Sequence, residues 1–473
     1  MAVQEDTMLR KPSNTFAPIA FACMLLSLPA RANELDELKS LVKQLQQRIE
    51  QLEARQKASV APAATAEAPP AVTAGSLPGS FKIPGTDTSL QIYGSVRVDA
   101  TYDSNSRNAD THDNDWASVV FAQPLSSPAF RTGNRKGQFF ATAQASRLGI
   151  VSSTPTRLGN LEVKLEADFN APNDYMGELG SNGTLFRLRQ AYGKLGNWTV
   201  GQTWSNFIDF RSMPETVDFN PPGTVALLRQ AQLRYARSTG AHTVSVALEN
   251  PESLTGNPPA FLRSHDFLAP VYFVGDYDRT PDLTLNWTWN RDDAHLSLRA
   301  VTHEYRNDGG HKRGHAFGLG ASANVGRGTL VANLQGGKGI GRYMFNSVVQ
   351  GAVDLGLVPG STATGIQLWN AMGWHVGYGA PWNASLRSNL IVSRTSFREN
   401  AAADNVVRAF WAGIGLDDFV PNRRIDQAFV NLIWAVDKNI EAGIEYAYGK
   451  RLTFGGEQGT QQRINGVVRY NLF

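Results

Sequence analysis

From about Ser89 to Phe473 the chain is built of short segments in which apolar and polar residues alternate, joined by connections that are in turn tight and long. Leu283, Leu285, Trp287 and Trp289 interleave with Thr284, Asn286, Thr288 and Asn290. Leu161, Val163, Leu165, Ala167 and Phe169 interleave in the same way with Glu162, Lys164, Glu166 and Asp168. Successive side chains of a strand point to opposite faces, so one face of each segment suits hydrocarbon and the other suits water. A soluble sandwich would reverse the two environments, but its strands rarely come in such numbers. The pattern predicts an all-β fold, a transmembrane antiparallel β-barrel of about 16 strands.

The connections support this. Tight ones include Leu195-Gly196-Asn197, Arg237-Ser238-Thr239-Gly240, Asp292-Asp293, Gly326-Arg327, Ala380-Pro381 and Asp437-Lys438-Asn439, whereas long ones include 104–136, 206–228, 251–280, 338–369 and 398–423. Strict alternation is what periplasmic turns and extracellular loops produce when both termini are periplasmic. The chain ends on the aromatic Phe473, as outer-membrane barrels commonly do, although Ile464, Val468, Tyr470 and Leu472 run one residue out of step with it.

Ahead of the barrel lie three further regions. Phe16 to Leu28 is apolar, follows Arg10 and Lys11 and precedes Ala30-Arg31-Ala32, which reads as a signal peptide over 1–32. Cys23, the only cysteine of the 473 residues, falls inside it. No later segment is apolar for the roughly 18 residues a spanning helix needs. Over 33–57, Leu35, Leu38, Val42, Leu45, Ile49 and Leu52 occupy a and d of a heptad, giving a short α-helical coiled coil placed in the periplasm. Val and Ile at a with Leu at d favour two strands; Arg48-Ile49-Glu50-Gln51-Leu52-Glu53, an Arg-h-x-x-h-Glu motif with h apolar, favours three, and we favour three. Residues 58–80 are an Ala/Pro-rich linker, leaving 81–473 for the barrel.

A barrel of this size encloses a wet lumen, so function turns on which solutes pass and which charges line the way. The parity test turns Arg97, Arg147, Arg187, Arg189, Arg234, Arg299 and Arg387 inward, with Arg187 and Arg189 opposite Phe186, Leu188 and Tyr192. The same test turns Glu162, Glu166, Asp168, Glu441 and Glu445 inward. Guanidinium groups grip carboxylates by paired hydrogen bonds, so facing arginines suit small organic anions, while pairing with the lumen acids would leave a general porin. The connection 206–228 is stiffened by Pro214, Pro221 and Pro222 and carries Phe207, Phe210, Glu215, Asp218 and Phe219. It has the composition of a loop that folds into the lumen and narrows it.

A formal charge of +3 is too mild to suggest nucleic acid. Enzymatic readings fail: His311 and His315 lack further ligands and read as a solvated loop, His303-Glu304 lacks the second His of a zinc protease, and Gly336-Gly337-Lys338-Gly339 lacks the Ser or Thr of a phosphate loop. No catalytic, metal or cofactor site is expected.

The chain resembles the DcaP-type family of trimeric outer-membrane porins. The resemblance is carried by the heptad segment and linker, Leu90-Gln91-Ile92-Tyr93-Gly94, Ser146-Arg147-Leu148-Gly149-Ile150, Arg187-Leu188-Arg189-Gln190-Ala191-Tyr192-Gly193, Val200-Gly201-Gln202-Thr203-Trp204-Ser205, Pro214-Glu215-Thr216-Val217-Asp218-Phe219 and Arg229-Gln230-Ala231-Gln232-Leu233-Arg234-Tyr235. It implies a homotrimer in outer-membrane lipid of a Gram-negative cell, passing dicarboxylates or related anions along Arg97, Arg147, Arg187, Arg189 and Arg234. A competing expectation is an envelope tether whose coiled coil contacts the cell wall.

Overall fold

The computed structural model describes residues 32–58, 72–106, 135–171, 185–251, 278–307, 310–347, 350–357, 364–413 and 421–472. It divides into two units, Met1–Ala71 and Val72–Phe473. The signal peptide up to residue 31, most of the linker and Phe473 lie outside the described residues.

In the first unit a single helix, α1 (Ala32–Ala58), covers the heptad segment. Its Val42, Leu45, Ile49 and Leu52 are 50–59% exposed. An isolated helix of this length is marginal in water unless its apolar stripe is covered.

The second unit is a closed antiparallel barrel of sixteen strands. In chain order they are β1 (Ser89–Ser106), β2 (Arg135–Thr142 continued as Arg147–Thr156), β3 (Gly159–Ala171), β4 (Leu185–Leu195), β5 (Trp198–Trp204), β6 (Arg229–Thr239), β7 (His242–Glu249) and β8 (Asp282–Asn290). There follow β9 (Ala294–Asn307), β10 (Gly310–Val325), β11 (Gly328–Lys338), β12 (Asn370–Pro381), β13 (Leu386–Arg398), β14 (Asn422–Asp437), β15 (Ile440–Thr453) and β16 (Gln458–Asn471). Each strand pairs with its chain neighbours, and β1 closes the ring on β16 from Ser95↔Asn471 to Asp103↔Arg463. A helix, α2 (Ala401–Gly413), follows β13.

The barrel is apolar outside and polar within. On β3, Val163, Leu165 and Phe169 are 41–51% exposed, whereas Glu166 and Asp168 are 2% and 0% exposed. On β8, Leu283 and Leu285 face out while Asp282 and Thr284 are buried. Unpaired backbone groups are costly in hydrocarbon, and a closed ring removes the two edges an open sheet would leave.

Among the register shifts of the described strands, two change the parity around the lumen arginines. From Asp99↔Thr142 to Ser95↔Arg147, β1 advances four residues and β2 five, so β2 carries one extra residue in the stretch Ala143 to Ser146. The second lies where Glu166↔Gln190 is followed by Ala167↔Leu188, leaving Arg189 as the extra residue of β4. Arg189 and Gln190 are therefore both buried on the lumen side. Tyr192, read from parity as facing out with Phe186 and Leu188, instead pairs with Lys164 and turns inward, because the bulge shifts the phase beyond it. The hairpin β9–β10 also runs further than expected, to Asn307↔Gly310, which puts His311 and His315 on a strand rather than a loop.

Leu165→Arg, at the middle of β3, should destabilise the barrel by about 2–4 kcal/mol, the cost of an arginine on a lipid-facing mid-strand position. Urea unfolding in lipid vesicles checks this, with Leu158→Arg, at the β2–β3 turn, expected to cost far less.

Candidate functional site

The connection 206–228 lies inside the barrel, and the wall holds it at both ends and in the middle. At its start the Glu249 carboxylate of β7 accepts from the Asn206 N–H at 2.7 Å, and Asn286 of β8 donates to the Asn206 carbonyl at 3.0 Å. Arg299 of β9 donates to the Phe207 carbonyl at 2.9 Å, and Ser297 of β9 donates to Asp209 at 2.6 Å. Further along, His375 of β12 contacts the Ser212 carbonyl at 2.9 Å and the Thr224 hydroxyl at 2.7 Å.

The tip is clasped by one residue. Glu445 of β15, 1% exposed, accepts from the N–H groups of Val217 and Asp218 at 2.9 and 3.0 Å and from the side-chain amides of Asn431 and Asn465 at 3.0 and 3.1 Å. Arg97 of β1 donates to the Val217 carbonyl at 2.8 Å, and Arg387 of β13 forks onto Glu215 at 2.6 and 2.8 Å. The loop thus bonds to strands from β7 round to β1. Between its tip and the wall lies a cavity of about 340 Å³ lined by Arg97, Glu215, Thr216, Phe219, Glu441 and Arg469 among others.

Residues 340–347 of the connection 338–369 also fold inward, a finding the sequence reading had not included. Tyr343 and Met344 are buried and join Phe207 and Ala226 in one apolar cluster, with the Phe207 and Tyr343 rings edge to face at 5.7 Å. The N–H groups of Phe345 and Asn346 donate to the carbonyls of Val225 and Gly223 at 3.0 and 2.8 Å, so the two loops brace each other. The signal was present in Ile340-Gly341-Arg342-Tyr343-Met344-Phe345, an apolar and aromatic run too rich for an ordinary surface loop.

All seven arginines lie on the inner wall, but they do not form one group. Arg187 and Arg189 of β4 share Asp168: Arg187 forks onto it at 2.9 and 2.8 Å, and Arg189 reaches it at 2.7 Å while holding Glu166 at 2.7 Å. Arg147 of β2 stands 3.8 Å from Glu166, and its Nε has no hydrogen-bond partner. Tyr93 completes this cluster; its ring lies so close over Gly149 that a Cβ there would meet it at 2.3 Å, and its hydroxyl donates to Glu166 at 2.8 Å. Arg234 donates to the Trp204 carbonyl at 2.5 Å and to Gln232. Arg97 also pairs with Asp99 and lies over the Phe219 ring. Arg299 also bonds Asn333, and Arg387 also holds Glu441 at 2.6 Å.

This architecture agrees with comparison to known proteins. The family model described as DcaP outer membrane protein matches residues 25–472. The chain belongs to the DcaP outer membrane protein family. Its fold is similar to that of the outer membrane channel DcaP of Acinetobacter baumannii, with a TM-score of 0.65 and 24% identity over 84% of this chain and 100% of that one. It is also similar to Salmonella typhi OmpF in complex with daunomycin, with a TM-score of 0.50 and 11% identity over 81% of this chain and 98% of that one. No curated protein aligns with the sequence. The chain is therefore an outer-membrane barrel of a porin family.

In this DcaP-family lumen the loop acids differ in kind. Burial raises Glu215, but hydrogen bonding and charge from Arg387 outweigh it and hold the carboxyl below its usual range. Burial pushes Asp218 up to about 7; Arg463 opposes the rise, while Glu445 and Asp99 add to it. Asp218 is therefore neutral in the folded protein over a range where it would be ionised in an unfolded chain. Its contribution to docking is greatest at low pH and is lost as pH rises from about 4, the ordinary value, to about 7.

Two outcomes are expected. Glu445→Ala should weaken docking of the loop tip by about 2–5 kcal/mol, since four donors lose a buried carboxylate, and single-channel recording should show larger, noisier conductance from a barrel that still folds. Current noise of the native protein should rise between about pH 4 and 7 as ionisation of Asp218 comes to disfavour the docked tip, and Asp218→Asn should flatten that dependence.

Proposed function

We propose that this DcaP-family protein is a passive diffusion channel for small organic anions, dicarboxylates foremost. The observation that carries the reading is the inner face of β2, β3 and β4. There Arg147, Lys164, Arg187, Arg189 and Lys194 stand against Glu162, Glu166 and Asp168, two positive charges in excess. The arginine fork is preorganised by these carboxylates, so an entering anion meets fixed donors without the entropic cost of ordering them. Conduction also requires that the anion leave, and partial neutralisation by Glu166 and Asp168 keeps the site weak.

In this reading the other four arginines contribute differently. Arg97, Arg299 and Arg387 set the width of the passage through the loop carrying Phe207, Phe210, Glu215, Asp218 and Phe219. Arg234 fixes the end of β5 where that loop begins. The same reading makes 1–32 a removed leader and 58–80 a spacer. It places α1 in the periplasm as the coiled coil of a homotrimer, its exposed Val42, Leu45, Ile49 and Leu52 covered by sister helices. A general, non-selective porin is the second reading, favoured by the close pairing of Arg187 and Arg189 with Asp168 and Glu166.

Planar-bilayer recording under a salt gradient, titrated with succinate, decides between them. Conductance in three equal steps, an anion-leaning reversal potential and brief current blocks are the expected result. A cation-leaning or neutral reversal potential that succinate leaves untouched would establish the general porin.

A further inference from the structure

Each of the arginines singled out by sequence parity has a carboxylate or backbone carbonyl nearby. Arg229 has neither. Among the described residues, its guanidinium makes no hydrogen bond and no ion pair; it lies over the Trp204 ring at 4.3 Å. Trp204 ends β5 and Arg229 begins β6, and the two are ladder partners, so they close the root of the inward loop. Alternation from the lumen-facing Thr203 and Gln230 would turn both residues outward. The Trp204 ring nevertheless lies edge to face with Phe210 at 5.2 Å, and Phe210 belongs to a loop anchored on the inner wall, so the pair sits on the lumen side.

The surroundings of Arg229 are cationic. Arg189, Arg187 and Arg147 act on it electrostatically, and Asp168 is the acid that does so. Asp168 is already shared between Arg187 and Arg189. Arg147 is the other member with uncommitted donors, at 3.8 Å from its nearest carboxylate oxygen. A guanidinium held over an indole by cation–π attraction spends no N–H group on the ring, and its unspent donors match a carboxylate.

We propose that Arg229, held over the Trp204 ring and backed by Arg147, is a capture site for carboxylate anions at the root of the inward loop. The inference rests on the anion-channel reading and names the residue that makes the captured state. An incoming carboxylate supplies the acceptors that no side chain provides. Removal of this one guanidinium therefore takes away both a charge and a preformed pair of donors, whereas removal of Arg187 or Arg189 also frees a buried acid.

The test is single-channel recording of the full-length protein, its Arg229→Gln variant and its Arg229→Lys variant, with succinate as the probe. Arg229→Gln should shift the reversal potential towards cations relative to the native protein and weaken succinate block about tenfold, the size expected for a lost charge-assisted hydrogen bond. Arg229→Lys keeps the charge and loses the planar fork, so it should restore the reversal potential while block stays weak. Reversal potential and block both unchanged in Arg229→Gln would overturn the site. The comparison is variant against native, so it holds whatever the sign of the native selectivity; that sign tests the anion-channel reading separately. A failure of Arg229→Gln to fold leaves Arg229→Lys to decide, with native block overturning the proposal.

Discussion

Closure of the sheet governs everything else in this molecule. In hydrocarbon an N–H or C=O without a partner is costly, so the ladder must run round to its own beginning, and β1 meets β16 to make it do so. Once the ring is closed, the side chains have two environments and no third. Apolar ones go out, and polar ones go into a space too wide for wall side chains to fill. The inward loops, the paired charges and the passage between them are ways of occupying that space.

The lumen charges serve two ends that compete for the same groups. A buried carboxylate is tolerable only when several donors satisfy it, and Glu445 meets this by binding two backbone N–H groups and two amides of asparagine. It is thereby a structural tie and no longer a charge that a permeant ion would feel strongly. Arg97, Arg299 and Arg387 are committed in the same manner to carbonyls and acids of the loop or its surroundings. The residues left to meet a solute are those whose donors outnumber the acceptors around them, which concentrates attention on the wall from β2 to β6.

Most of the fold was legible in the sequence because strand parity is a period of two and every barrel strand must display it. The sixteen segments and the inward faces of the arginines follow from that single regularity, whereas the lumenal 206–228 connection was legible from its prolines and aromatic residues. What parity leaves out is pairing across the lumen: Glu445 reads as one more inward acid, although the structure makes it the clasp of a loop more than two hundred residues earlier. Parity also fails where a bulge intervenes, as at Arg189, beyond which Tyr192 changes sides. Arg229 escaped because alternation from Gln230 points it outward, whereas its contact with Trp204, itself against Phe210, sets it at the root of the inward loop. The inward fold of 340–347 had a compositional signal in its aromatic run, but that signal does not specify which wall it packs on.

The extra residue in β2 is held in place by a side chain. The Ser146 hydroxyl fills the gap it makes, accepting from the Arg97 N–H at 3.0 Å and donating to the Arg97 carbonyl at 3.3 Å, so the interrupted ladder is patched by a side chain. The stretch Ala143 to Ser146 therefore works as a phase shifter for the ten residues after it. With it, Arg147 faces water and Leu148 and Ile150 face lipid; one residue fewer would exchange the two faces over the whole segment. Chain length in this place is thus not free to drift as it is in a surface loop. A single-residue deletion would be read by the membrane as ten simultaneous substitutions.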